Sequence, residues 1–305
     1  MYLTIAELVE DAERRQLPVC ELMIRQEIER SHEPREAVWE KMGRNLDVMQ
    51  QAVADGAAGE GVHSTTGLTG GDAVKLRKYR ERGRTLSGDV MMQAVQNAMA
   101  CNEVNAAMGV ICATPTAGSS GTIPGILFTL TDRLGLGRDQ QIRFLFTAGA
   151  FGLIIANNAG IAGATGGCQA EVGSASAMGA AAAVEAAGGT PRQSAEALAI
   201  AISNLLGLIC DPVAGLVELP CVKRNAIGAG NGLIAADMAL AGITNKIPPD
   251  EVIGAMDDVG KNLPRKFRET GLGGLADTPT GRRLKESIFP AKKNLSAFRK
   301  TESAT

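Results

Sequence analysis

The 305-residue chain is predicted to be all-α: one large helical domain over residues 1–290 with glycine-rich loops, then a polar C-terminal tail over residues 291–305. Three observations point there. No stretch alternates apolar and polar residues with period two for the length of a strand, whereas apolar residues recur at helical spacing along most of the chain. The helical stretches are bounded by Ser/Thr, Pro and Gly where helices start and stop. Between them lie three compact segments, GAAGEGVHSTTGLTGG, VICATPTAGSSGTIPG and RETGLGGLADTPTG, rich in glycine and hydroxyls as shaped turns are. A chain of this size can bury a large core, and it contains no internal repeat.

Thr4 and Glu7 form a capping-box pattern that starts the first helix. Pro18 suits the start of a second, and Pro34 opens a third, REAVWEKMGRNLDVMQQAVADG, which Gly56 and its neighbours end. After the first loop, helical spacing returns from Ser87 to Met108; the second loop then leads into a helix beginning near Pro124. Beyond Arg138 a buried helix runs through Ile155, breaks at glycines, and resumes in EVGSASAMGAAAAVEAAGG, whose small side chains permit close packing. Pro191 restarts a helix expected to run to Cys210, where Asp211-Pro212 stops it. Asn225 to Ile243 is helical, Pro248-Pro249 begins another helix, and the third loop follows.

A net charge of −2 and 3% aromatic residues remove the electrostatic and stacking attractions of nucleic-acid binders, so no nucleic-acid partner is expected. The start, MYLTIAELVEDAERRQ, is acidic and polar where a secretory signal is basic and then apolar, so a cytoplasmic location is expected. Phe144 to Ala170 carries no charge and is long enough for a bilayer, but Asn157-Asn158 and its glycines favour a central helix wrapped by protein. No membrane association is expected.

Cysteine usage carries the chemistry. Six cysteines are sparse for a disulfide scaffold, and a reducing compartment favours free thiols or metal ligands. Cys168, Cys210 and Cys221 each stand at a predicted helix junction, in GGCQAEVGS, GLICDPVAG and VELPCVKRN, where oriented N–H groups favour a thiolate. Three thiolates on a metal centre leave one position open for substrate. Spacing alone leaves open that they are small buried side chains, because there is no CxxC pair.

The words GGCQAEVGSASAMGAAAA and GGTPRQSAEALAIAISNLLGLICDPVAGLVELPCVKRNA resemble the alpha subunit of bacterial iron-sulfur-dependent L-serine dehydratases (L-serine ammonia-lyases). STTGLTGGDAVKL, NEVNAAMGVICATPTAGSSGTIPG, RFLFTAGAFG and RETGLGGLADTPTG follow the family's order, so the resemblance covers nearly the whole chain. It implies a helical catalytic iron-sulfur domain in which Cys168, Cys210 and Cys221 hold a 4Fe-4S cluster. It also implies dehydration of L-serine to pyruvate and ammonium without pyridoxal phosphate, a reaction of amino-acid degradation that feeds gluconeogenesis. An open iron acts there as the Lewis acid on the serine hydroxyl. With the resemblance, Thr114, Thr116 and Ser119 are favoured for substrate binding over an ordinary hydroxyl-rich turn. Ser64, Thr66, Gly70, Gly71 and Asp72 form the other candidate loop, balanced between substrate binding and plain turn chemistry. Arg268 is a candidate carboxylate partner, with a surface salt bridge as its alternative, and Asn105 either orients substrate or caps a turn.

The sequence offers no convincing catalytic base. His32 lies in a polar turn, and His63, bordering a glycine loop, is the remaining candidate. The resemblance implies a separate beta subunit, making the enzyme a heteromer, and a serine- and histidine-bearing loop of that subunit is the expected source of the base. Some single-chain relatives cap the fourth iron with a terminal cysteine; no cysteine follows Cys221 here, so an exposed, oxygen-sensitive iron is expected. Cys20 and Cys101 are assigned to helix packing, and Cys112 is placed beside the pocket. Three other readings are an L-cysteine desulfidase using the same cluster chemistry, a non-catalytic iron-sulfur redox protein, and a helical scaffold with core cysteines.

Overall fold

A computed structural model describes residues 1–290, and the tail expected over 291–305 lies outside the described residues. The helices run α1 Ile5–Arg15, α2 Val19–Ser31, α3 Arg35–Ala57, α4 Asp72–Arg80, α5 Asp89–Ala106, α6 Thr122–Leu134, α7 Arg138–Asn158, α8 Gly163–Gly166, α9 Ser174–Ala186, α10 Pro191–Leu205, α11 Cys221–Leu240, α12 Pro249–Asn262 and α13 Pro279–Ile288. Among the described residues there is no strand, only the isolated bridges His63–Gly70 and Cys210–Arg268. The all-α expectation therefore holds.

Local chemistry sets several helix starts. The Thr4–Glu7 capping box forms as expected, with the Glu7 N–H donating to Thr4 Oγ1 at 3.1 Å. Pro18 gives α2 an extended entry but no side-chain cap, leaving its first amides orphaned. Glu185, at the C-terminal end of α9, accepts from the Val19 and Cys20 N–H groups at 2.6 and 3.1 Å. Glu103 of α5 does the same for α4, accepting from Asp72 N–H at 2.8 Å and Ala73 N–H at 3.3 Å. Long-range carboxylates thus both cap helices and fix their relative positions.

The core centres on α9, whose residues Ser174 to Val184 are all buried. It packs against α6, α7, α10 and α11. The uncharged run Phe144 to Ala170 breaks after its buried helix, as expected: α7 ends at Asn158 with Ala156, Asn157 and Asn158 exposed, and the chain then turns through α8 into a π-helical segment. The helix buried on every side is the alanine-rich one after it. No helix among the described residues is long and apolar enough to cross a membrane.

Small residues set how closely the helices approach. A Cβ on Gly56 of α3 would lie 2.2 Å from Ala100 O of α5, and one on Gly125 of α6 would lie 2.8 Å from Ala98 Cβ. Bulky residues such as Phe144, Phe151, Leu8 and Leu46 fill the remaining core.

The end of α10 departs from expectation. It stops at Leu205, not at Cys210, because Gly207 adopts the left-handed φ of +84° and turns the chain away. Cys210 consequently lies in an extended segment, where its N–H donates to Phe267 O at 2.8 Å and its C=O accepts from Glu269 N–H at 2.8 Å.

Gly56→Ala is expected to cost about 1–3 kcal/mol, because the helices must separate to admit a methyl group. Gly254→Ala, on an exposed turn of α12 with nothing within 4 Å of the added carbon, is expected to gain about 0.5–1 kcal/mol. Thermal midpoints of the two variants should move in opposite directions.

Candidate active site

The fold gathers Cys168 and Cys210, which the sequence keeps apart, and brings Cys221 near enough to act on the charge of both. Cys168, Cys210 and Cys221 are 1%, 2% and 6% exposed, so each thiol is available only to an interior occupant. Cys168 precedes the π-helical segment Gln169–Gly173, a distortion common at functional sites. Cys221 opens α11, and Cys210 is held by the extended bridge to Arg268.

The sulfurs of Cys168 and Cys210 lie within 4.8 Å of each other, near enough for one thiol to stabilise the other as a thiolate by a hydrogen bond. The bond lowers the Cys168 pKa, assisted by the Arg224 guanidinium, and it raises that of Cys210 together with burial. Burial first, then neighbouring anions, pushes the Cys221 thiol up. Arg224 Nη1 donates to Ile209 O at 2.8 Å, lies 3.5 Å from Cys168 Sγ, and forms an ion pair with Asp211 at 2.7 Å. Burial disfavours its charge, but Cys168 and Asp211 outweigh that and raise its pKa.

Carboxylates that sequence reasoning missed complete the cluster of side chains. An oxygen of Glu171 and the sulfurs of Cys168 and Cys210 lie within 4.8 Å of one another, a group able to hold a metal ion. Burial raises the Glu171 pKa against the opposing hydrogen bond from Thr116. Glu269, in a left-handed backbone conformation with φ +60°, turns its carboxylate toward the same place. A Cβ on Gly163 would fall 2.9 Å from Cys210 Sγ, 3.2 Å from Glu269 Oε2 and 3.4 Å from Glu171 Oε2, so this glycine keeps the meeting point clear. Soft, buried thiols converging on a cleared point, with a guanidinium beside one of them, fit a thiolate-ligated iron-sulfur centre.

Each glycine-rich loop is tied to a cysteine-bearing segment. On the loop before α6, the Ser119 hydroxyl donates to Thr114 O at 2.9 Å and contacts Thr116 Oγ1 at 3.1 Å, while the Thr116 hydroxyl donates to Glu171. Thr114 Oγ1 is buried without a partner. Asn225, fully buried on α11, donates to Gly118 O at 2.7 Å and to Cys221 O at 3.1 Å. It also accepts from the N–H groups of Gly121 and Thr122 at 3.0 and 3.1 Å. On the loop before α4, Thr66 donates to Glu218 at 2.8 Å, three residues ahead of Cys221, and Ser64 Oγ lies 3.1 Å from Thr66 Oγ1. On the third loop, Arg268 pairs with Cys210 through the backbone bridge, and Leu275 N–H donates to Asp211 Oδ2 at 2.7 Å.

The remaining sequence candidates lie at the margins. Gly70 and Gly71 pack against His63; a Cβ on Gly70 would sit 2.5 Å from its Nδ1, so the ring is held against the loop backbone. Asp72 opens α4 and pairs with Lys75 at 2.6 Å. Asn105 is half-buried in the last turn of α5, and its C=O accepts from Met108 N–H at 3.0 Å. Arg268 is half-buried with its Nε unpartnered, and no salt bridge to it is present among the described residues. Cys20 and Cys101 lie in helix packing, and burial pushes both thiols up to about 12. Cys112 is half-buried just ahead of Thr114.

The family model of the serine dehydratase alpha chain matches residues 14–276. The chain is 61% identical over 289 residues to the probable L-serine dehydratase alpha chain of Bacillus subtilis strain 168, covering 95% of this chain and 96% of that one. It is 41% identical over 286 residues to the L-serine dehydratase alpha chain of Peptoniphilus asaccharolyticus, covering 94% and 98%. L-serine dehydratase 1 of Escherichia coli K12 is 38% identical over 238 residues, covering 75% of this chain and 51% of that one.

Asn225→Ala removes the bonds to two N–H groups and two C=O groups, and is expected to cost about 2–4 kcal/mol, with faster hydrogen exchange at Gly121 and Thr122. A second outcome concerns Glu103, whose carboxyl burial pushes above its ordinary range despite the two N–H groups it accepts. The folded state then holds that proton more tightly, so its stabilising contribution is complete below the unfolded pKa and is lost as pH rises through the folded one. Wild type should lose stability relative to Glu103→Gln as pH rises from about 4. Denaturation midpoints across pH check this, and a pH-independent difference between the two proteins would contradict it.

Proposed function

This chain belongs to the serine dehydratase alpha chain family, and we propose that it deaminates L-serine to pyruvate and ammonium. In this reading Cys168, Cys210 and Cys221 hold a 4Fe-4S cluster, and a separate beta chain completes the enzyme. The observation that carries it is the buried group of Cys168, Cys210 and Glu171, whose ligand atoms lie within 4.8 Å of one another beside Gly163, with Cys221 near enough to act on the charges of both other cysteines. When bound, the cluster supplies a Lewis acid that makes the serine hydroxyl a better leaving group.

The chain's own groups bind and orient the amino acid. The unpartnered hydroxyl of Thr114 and the unpartnered Nε of Arg268 are donors for a substrate carboxylate, and burial strengthens such bonds. Thr116 and Ser119 hold the loop in shape, and Thr116 orients the Glu171 carboxylate. Ser64 and Thr66 support the opposite wall through Glu218. Loss of the α-proton and of hydroxide from L-serine leaves aminoacrylate, which tautomerises to an imine and hydrolyses to pyruvate and ammonium. His63, pressed against Gly70 and Gly71, is poorly placed to collect that proton, which favours a base from the beta chain.

Under anaerobic conditions the protein should carry about four irons and four sulfides per chain and turn over L-serine when its beta chain is present. Cys221→Ser should lower cluster retention by at least about tenfold and abolish turnover. Iron-free protein that still deaminates serine would overturn the cluster, faster turnover of L-cysteine would reassign the substrate, and full turnover by the alpha chain alone would place the base in this chain.

A further inference from the structure

We propose that Glu171 is a fourth, exchangeable protein ligand of the metal centre, holding the corner that the three cysteines leave open until substrate arrives; the inference rests on the cluster reading above. An oxygen of Glu171 already lies within 4.8 Å of the sulfurs of Cys168 and Cys210. The side chain is 7% exposed. Its position is fixed on the far side, because the Thr116 hydroxyl donates to Oε1. Oε2 faces Gly163 and Cys210. A carboxylate anchored through one oxygen and presented through the other is how ligating carboxylates are oriented.

Two glycines make room for this arrangement. A Cβ on Gly118 would lie 2.6 Å from Glu171 Oε1 and 2.8 Å from Oε2, and one on Gly163 would stand between Oε2 and the Cys210 sulfur. Charge gives a further reason. Glu171 forms no salt bridge with Lys, Arg or His among the described residues, although Glu269 and the cysteines lie close by. No cationic side chain among the described residues therefore occupies the carboxylate, which leaves its oxygens available to a metal corner.

Exchange follows from ligand type and from position. A carboxylate is a harder donor than a thiolate and holds iron less firmly in a sulfur-rich centre. Thr116 belongs to the loop assigned to substrate, so movement of that loop on binding shifts the anchor of Glu171. Glu171 therefore shields the corner in the resting enzyme and yields it to the amino acid.

The test uses the anaerobically prepared complex of the full chain with its beta chain, as wild type, Glu171→Gln and Glu171→Cys. Iron and sulfide counts come first: wild type without a cluster removes the cluster reading itself. With the cluster present, serine-free Glu171→Gln should show an altered unique-iron Mössbauer signal. It should also convert to the three-iron EPR signal severalfold faster in air than wild type. Identical signals and identical rates overturn the proposal. If Glu171→Gln assembles no cluster, Glu171→Cys decides: a thiolate reaching the same corner should slow iron loss below the wild-type rate, and unchanged or faster loss overturns the proposal.

Discussion

The half-buried guanidinium of Arg224 is the contact on which the site depends. It donates to Ile209 O, lies beside Cys168 Sγ and pairs with Asp211, so it joins the segment of Cys168 to that of Cys210. It stands on the first turn of α11, three residues after Cys221. One side chain therefore fixes the mutual positions of all three cysteine segments. Its charge also offsets anions that burial would otherwise make prohibitively costly, and removing either partner of such a pair leaves an uncompensated charge inside the protein. Asp211 extends the same link outward by accepting from Leu275 N–H, and Gly274 is glycine there because a Cβ would fall 2.2 Å from Asp211 Oδ2.

Close packing of small residues explains why polar loops collect at this end of the helices. Where α5, α6, α9 and α11 meet, glycine and alanine bring backbones together and leave little side-chain volume to bridge the junctions. The loop entering α6 must then satisfy its own buried amides and carbonyls. Asn225 and Asn102 do so: Asn225 contacts Gly118, Gly121 and Thr122, and Asn102 Nδ2 donates to Gly118 O at 3.3 Å. The shaped loop is thus a product of the packing that forms the core.

Fold class was legible because helical period and helix-start chemistry agree along the chain, as at Thr4–Glu7, Pro18 and Pro34. The break after Leu205 was less legible, since helical spacing continues past Gly207 and only its left-handed conformation ends α10. The three cysteines were singled out by their flanking words, where spacing alone left them ambiguous. Glu171, Glu218, Glu269 and Asn225 were not singled out. Each becomes distinctive only through a partner far away in sequence: Thr116 for Glu171, Thr66 for Glu218, the Gly163 face for Glu269, and the loop entering α6 for Asn225. Glu171 was the most accessible of these, standing three positions after Cys168 in a segment already marked as a helix start. A π-helical register, which local periodicity does not reveal, directs it inward.

The division of labour between core and site determines where metal loss would be felt. The large buried side chains, Phe144, Phe151, Leu8, Ile24 and Leu46, belong to α1, α2, α3 and α7, in a cluster that does not include the three cysteines. Around the cysteines, hydrogen bonds and one ion pair add to smaller apolar contacts such as those of Val222 and Ala226, each bond worth about 0.5–1.5 kcal/mol net. The hydrophobic frame can fold on apolar burial alone, while order in the loops depends on contacts that converge on the thiols. A metal held by the thiols would therefore be linked to loop order locally, unlike in small domains where the metal supplies the folding energy of the whole chain. Since Thr116 and Thr66 reach the segments of Cys168 and Cys221 through Glu171 and Glu218, a change at the centre reaches both candidate substrate loops through a single intervening side chain. That short path lets one site combine a rigid helical frame with loops that respond to what the thiols hold.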